Sequence, residues 1–359
     1  MSKKTGIFPE KRGKPWEKPW KKCCREGILP PVEYLGRIFN ALGMDSPDLY
    51  RYDKNRSRPR KWGKTLCMCK GVFPMFFQIV TDSCCDLTAG QVEELALRVA
   101  PLSVEMDGAS IPEGGMTPKE LYDHLRAGKM PKTAAVNPDG WQSKIRPALE
   151  AGRDVLVLAF SSALSATYQS AVIAAEELRE EFPQRKLIVV DTLSAAIGQG
   201  LLACTAARLR DQGKTIEEVA AWVEEHKKQV CHWVTVEDLM HLKRGGRVSA
   251  ATAVVGTMLS IKPISRVDDE GKLENLAKTR GRKAALKYLL DRMEETFDPE
   301  LSDTVFIGHG DCPEDAEFLA SAIRERLGVK NVIINYIGAV IGAHTGPGVA
   351  AVFYYGKHR

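Results

Sequence analysis

The run Val155-Leu-Val-Leu-Ala-Phe160, followed at once by Ser161-Ser-Ala-Leu-Ser-Ala-Thr-Tyr-Gln-Ser-Ala171, decides the fold class. Six consecutive apolar residues bounded by a serine turn suit a strand buried on both faces. Helical spacing from Ser165 to Glu181 comes next, so strand, turn and helix stand in the order of a crossover unit. The same rhythm precedes it at Phe76-Phe-Gln-Ile-Val-Thr-Asp82 and follows it at Lys186-Leu-Ile-Val-Val-Asp-Thr192. A parallel sheet with crossover helices is therefore expected over residues 75–230. Further helices are read at TAGQVEELALRVA from Thr88, with Thr88 as N-cap, at TPKELYDHLRAG, where Thr117 caps and Gly128 closes, and at AAIGQGLLACTAARLRDQG, ended by Gly213.

The texture changes near Cys231. HWVTVED, SIKPISRVDDEGKLENLAKT, TVFIGHG and NVIINYIGAVIGAHTGPGVAAVFYYG read as a mixed sheet over residues 231–359, with a hairpin turn at Asp268-Asp-Glu-Gly271 and helices at 280–297 and 313–328. The fold class is thus two-lobed α/β, with a parallel-sheet lobe before a mixed-sheet lobe.

Residues 1–74 stand apart, with 18 basic and 7 acidic side chains, net +11, against 33 and 39, net −6, over the rest of the 359-residue chain. They show no period and are read as a basic, disordered extension. Such an arm has the composition of a nonspecific binder of nucleic acid or anionic surfaces. An extension upstream of Met75, or a translation start placed too early, is the preferred reading, so nucleic acid is not an expected partner. With 44% hydrophobic positions, the chain as a whole is not disordered, collagenous or coiled-coil. No stretch reads as a membrane span, and the amino-terminal residues lack the apolar core of a secretory signal. Nine cysteines without regular spacing suit free thiols in a reducing cytoplasm. Cys67 and Cys69 are read as incidental thiols, and Cys84 and Cys85 as small buried or half-exposed ones.

In open parallel sheets ligands gather beyond the carboxyl ends of strands. That rule points at Thr81-Asp82-Ser83, Lys132-Thr133, Ser161-Ser162 and Asp191-Thr192. Hydroxyls beside the amino end of a helix suit a carboxylate or phosphate that is held rather than attacked. Plain N-capping by Ser161 or Ser162 is the competing reading. A nucleophilic serine would lack its G-x-S-x-G elbow. His344, within Gly342-Ala-His-Thr-Gly-Pro-Gly348, is read as sitting on a glycine-rich loop, either donating to an anion or accepting a phosphoryl group. The other six histidines show no ligand spacing with it, and no metal is expected. Lys243-Arg-Gly-Gly-Arg247 is read as a basic hinged loop, either a solvated turn or a phosphate or partner contact through Arg244 and Arg247.

Taken together, these segments resemble the DegV family of bacterial fatty-acid-binding proteins along nearly all of residues 76–359. The likeness is carried by Thr81-Asp-Ser83 with Asp86-Leu87, the SSxLSxTYQSA run from Ser161, Asp191-Thr192 with the Gly198 and Gly200 helix, LKRGGR at 242–247, Ile261-Lys-Pro263 and His344-Thr-Gly-Pro-Gly. The resemblance implies a DegV-like fold in which a long acyl chain lies between the lobes, its carboxylate held by Thr133, Ser161 or Ser162, and His344. It implies a carrier and not an enzyme, with no cofactor beyond the bound long-chain fatty acid, which is presented to a fatty acid kinase docking at Arg244 and Arg247. The sequence departs from the family where the usual Thr-Ser-Gln-Pro-Ser is Thr133-Ala-Ala-Val-Asn137, and where glycines of the serine run are Ala163 and Ala166.

The chemistry is consistent with a carrier. At about 0.8 kcal/mol per buried methylene, a chain of roughly 16 carbons gains on the order of 12 kcal/mol before ordering costs. A few neutral donors then orient the carboxylate without a buried arginine. A phosphoryl-transfer role for His344 is the alternative.

Overall fold

In the computed structural model the described residues are 77–112, 114–248 and 260–359. The basic arm and the Cys67/Cys69 pair lie outside them. Residues 76–359 form one compact unit.

The amino-terminal lobe is built on β1 (Phe77–Asp82), β2 (Arg98–Ala100), β6 (Asp154–Ala159) and β7 (Leu187–Asp191), all parallel in the order β2-β1-β6-β7. Between β2 and β6 the chain forms a small antiparallel sheet of β3 (Ser103–Met106), β4 (Ala109–Pro112) and β5 (Lys132–Ala134). Thr133 therefore stands on this side sheet and not at the end of a parallel strand. Helices begin where the sequence supplies caps: Thr88, Thr117 and Thr215 each close a capping box with the Gln or Glu three residues on. The helix read from Thr88 is shorter than expected, Ala89–Glu94. Ala96 takes a positive φ of 48° and turns the chain, and Arg98–Ala100 is left free to pair with β1.

The carboxyl-terminal lobe is a six-stranded mixed sheet in the order β10-β9-β8-β13-β11-β12, made of β8 (Val230–Thr235), β9 (Ile261–Val267), β10 (Leu273–Arg280), β11 (Thr304–His309), β12 (Asn331–Tyr336) and β13 (Ala350–Tyr355). Helices Arg282–Thr296 and Pro313–Leu327 cover its outer face, joining Trp233, Val305, Val352 and Tyr354 in one core. Its inner face, with Phe306, Ala351, Phe353 and Tyr355, turns toward the first lobe. Helix Ile197–Asp211 lies between the two sheets, buried nearly all round. A side chain at Gly200 would put Cβ 2.5 Å from the Cys85 carbonyl, which explains the glycine.

The motif Thr81-Asp82-Ser83 is consumed by the fold. Thr81 donates to the Leu158 carbonyl at 2.8 Å, and the Ser83 hydroxyl accepts from Leu102 N–H at 2.9 Å. Asp82 accepts from the N–H groups of Phe160 (2.7 Å) and Cys84 (3.0 Å) and from the Gln199 amide (3.0 Å); burial pushes its carboxyl up to about 6. Asp191 and Thr192 do similar work: Asp191 accepts from Ser162 and Leu193 N–H, and Thr192 donates to the Ala159 carbonyl. Two of the four strand ends offered as ligand sites thus stitch neighbouring strands and turns to each other. Cys84 and Cys85 are buried thiols, as read.

Candidate functional site

A cavity of about 310 Å³ lies against the inner face of the second sheet, and most of its lining is apolar. Thr133, Ser165, Arg247 and His344 reach its wall, and His232 and Thr345 are the other polar residues among its lining.

His344 is not on a loop. It ends helix Ala339–Thr345, and the chain then turns at Gly346 with φ 78°. Its Nε2 lies 2.7 Å from the Thr133 hydroxyl, so a side strand of one lobe meets a helix end of the other. The opposite edge of the ring is pressed on Gly245, where a Cβ would stand 2.1 Å from Nδ1. Burial, with Arg247 nearby as the smaller cause, pulls the imidazole down to about 4, so it is neutral at physiological pH. That value lies below the ordinary 6.5, so the native state resists the proton. The stability tied to His344 is complete above about pH 6.5 and declines as pH falls toward 4. NMR titration of the ring should accordingly be flat around pH 6.5 and bend only near 4; an ordinary midpoint would refute the buried neutral ring.

Tyr122 indexes the two halves of this pair. Fully buried, it donates to the Ile337 carbonyl at 3.0 Å from helix Pro118–Arg126, the helix that leads toward β5. A Cβ at Gly342 would stand 2.7 Å from its hydroxyl oxygen, so the helix carrying His344 approaches as closely as a glycine permits.

The basic segment is also not a loop throughout. Helix Met240–Arg244 ends at Gly245, and the chain reverses through Gly246 at φ 72°. Arg244 stays on the surface, with Nε donating to the Met240 carbonyl at 3.0 Å. Arg247 turns inward, half-buried in the cavity wall, with Nε donating to the Leu164 carbonyl at 3.3 Å and Nη1 to the Gly245 carbonyl. It lines the cavity rather than an outer surface. The sequence reading did not place an arginine in the cavity wall.

Ser161 and Ser162 do not join the lining. Ser161 is fully buried and donates to the Gly271 carbonyl at 2.8 Å, while Ser162 is exposed. Four residues after Ser161, Ser165 reaches the cavity, its hydroxyl 2.8 Å from that of Thr167. Helix Thr167–Glu181 starts here, and its first N–H donates to the Ser165 hydroxyl at 3.2 Å. Sequence reasoning missed Ser165 and Gly245 as site residues. The serine spacing contained the first; the second needed the position of His344.

The family model described as "Uncharacterised protein, DegV family" matches residues 76–357. The chain belongs to the DegV family. A DegV domain-containing protein of Clostridium perfringens is 46% identical over 286 residues, 79% of this chain and 98% of its own. Among solved DegV structures, one from Thermus thermophilus, described by its fatty acid binding, is 32% identical with a TM-score of 0.70, covering 78% of this chain and 99% of that one. A DegV lipid-binding protein from Thermotoga maritima is 30% identical with a TM-score of 0.69, covering 79% and 99%. The DegV architecture of a parallel-sheet lobe joined to a mixed-sheet lobe is the one expected from the sequence.

Proposed function

We propose that this DegV protein binds a long-chain fatty acid without chemically changing it, the acyl chain in the apolar cavity and the carboxylate at the Thr133, Ser165, Arg247 and His344 end. The observation that carries this reading is the Thr133–His344 contact at 2.7 Å beside the Arg247 guanidinium, in a cavity whose lining is mostly apolar. An arginine and hydroxyl donors offset the large desolvation cost of a carboxylate in such a space. A neutral His344 contributes a hydrogen bond and no charge. With Nδ1 against Gly245 and Nε2 on Thr133, the ring offers little room for a phosphoryl group. Exposed Arg244 is the basic group left to meet a fatty acid kinase, and Arg247 would act on the ligand instead.

Native mass spectrometry of the purified chain should show a bound fatty acid. In titrations with palmitate, Thr133→Val should weaken binding by about tenfold, the value of one hydrogen bond to a charged group. Ser162→Ala should leave it unchanged, because that hydroxyl is outside the cavity. A chain that stays empty when offered palmitate or oleate would end this reading.

A further inference from the structure

Three inward-facing residues, Val349, Ala351 and Phe353, line the cavity as the chain runs from beside His344 along β13. The next inward residue, Tyr355, is packed in the core and donates to Thr205 at 3.0 Å. From Val349 to Phe353 the cavity therefore runs roughly 13 Å, at about 3.3 Å per strand residue, and it stops there.

The register identifies what stops it. Phe353 pairs with His232 on β8, and the β8–β9 register, which pairs Trp233 with Arg266, brings Val267 level with His232 one step on. Val267 in turn pairs with Leu273 on β10. Phe353, His232, Val267 and Leu273 thus form one row across four strands, and all four line the cavity. Two of them are fixed: the His232 ring stands edge-on to Phe353, donates from Nδ1 to the Val230 carbonyl and lies against Gly198. The other two flank the hairpin turn.

That turn is latched from both sides. Ser161 donates to the Gly271 carbonyl at 2.8 Å, and a Cβ at Gly271 would fall 2.3 Å from the Ser161 oxygen. The buried Arg359 guanidinium donates to the Asp268 carbonyl at 2.6 Å and to Ser194 and Lys227 beside it. We propose that Val267 and Leu273 form an end stop that sets the longest acyl chain the cavity accepts, and that the Ser161–Gly271 latch holds this stop in place. This rests on the fatty-acid reading and assigns Ser161 a positioning role at the tail in place of one at the head group.

The full chain is offered an equimolar mixture of straight saturated fatty acids from decanoic to icosanoic, and the bound species are read by native mass spectrometry. Leu273→Ala should move the most abundant bound chain longer by roughly two to three carbons, the size of the deleted side-chain atoms. Leu273→Phe, on a half-buried strand that tolerates the change, should move it shorter. Ser161→Ala should broaden the distribution without lowering total occupancy. Leu273 variants that bind as much as wild type with an unchanged profile would overturn the end stop and leave the fatty-acid reading intact. A wild-type chain that binds none of the mixture would overturn both.

Discussion

Gly245→Ala should lower affinity for palmitate by about tenfold to a hundredfold, while the folded chain loses no more than about 1 kcal/mol of stability. Gly245 has ordinary helical angles, φ −73° and ψ −7°, so alanine meets no backbone strain there. A glycine replaced at such a position gains about 0.4–1 kcal/mol from the unfolded chain. The cost is confined to His344, whose Nδ1 would lie 2.1 Å from the new methyl. The ring must swing away, Thr133 loses its partner, and the displaced imidazole enters the space a carboxylate would use. Calorimetric unfolding and palmitate titration of the same sample separate the two effects. Unchanged affinity would place the head group away from His344.

Arg247→Met should have a comparable effect by a different route. Methionine keeps much of the apolar stem and removes the guanidinium, which makes the loss electrostatic rather than one of packing. A hydrogen bond to a charged group contributes about 1.5–3 kcal/mol, so palmitate should bind roughly tenfold to a hundredfold more weakly. Arg247→Lys should recover only part of this, since an ammonium cannot copy the planar fork. The uncharged ester of the same acid should bind both proteins alike. If it is weakened as strongly as the acid, Arg247 acts through the wall and not on the charge.

Three of the four parallel strands, β1, β6 and β7, were legible because buried strands write themselves as apolar runs, while β2 was taken for the end of the helix from Thr88; two helix starts, at Thr88 and Thr117, were legible because threonine caps leave a fixed spacing. The side sheet carrying Thr133 was not. Its three strands are at most four residues long, half-exposed, and carry no apolar run to betray them. Glycine misled in the other direction: the turns after Arg244 and Thr345 were legible, but the helices ending at them were absorbed into supposed loops. Short helices of five and seven residues, Met240–Arg244 and Ala339–Thr345, leave too little periodicity to detect. For Ser161, position at a strand end was correctly seen as special, yet its partner is a carbonyl 110 residues away, which no local pattern encodes.

The order of strands in the second sheet has a bearing on how the protein is made. β13, last in sequence among the described strands, lies between β8 and β11, so β8 and β11 do not meet until it arrives. On the ribosome the first lobe's four-stranded sheet has all its strands once residue 191 has emerged, whereas the wall that carries Val349, Ala351 and Phe353 must wait for the final strand. Closing contacts over so long a separation is slow. The cavity wall is therefore complete only once β13 has been made, and a nascent chain stalled before β13 would expose an unfinished, oily sheet.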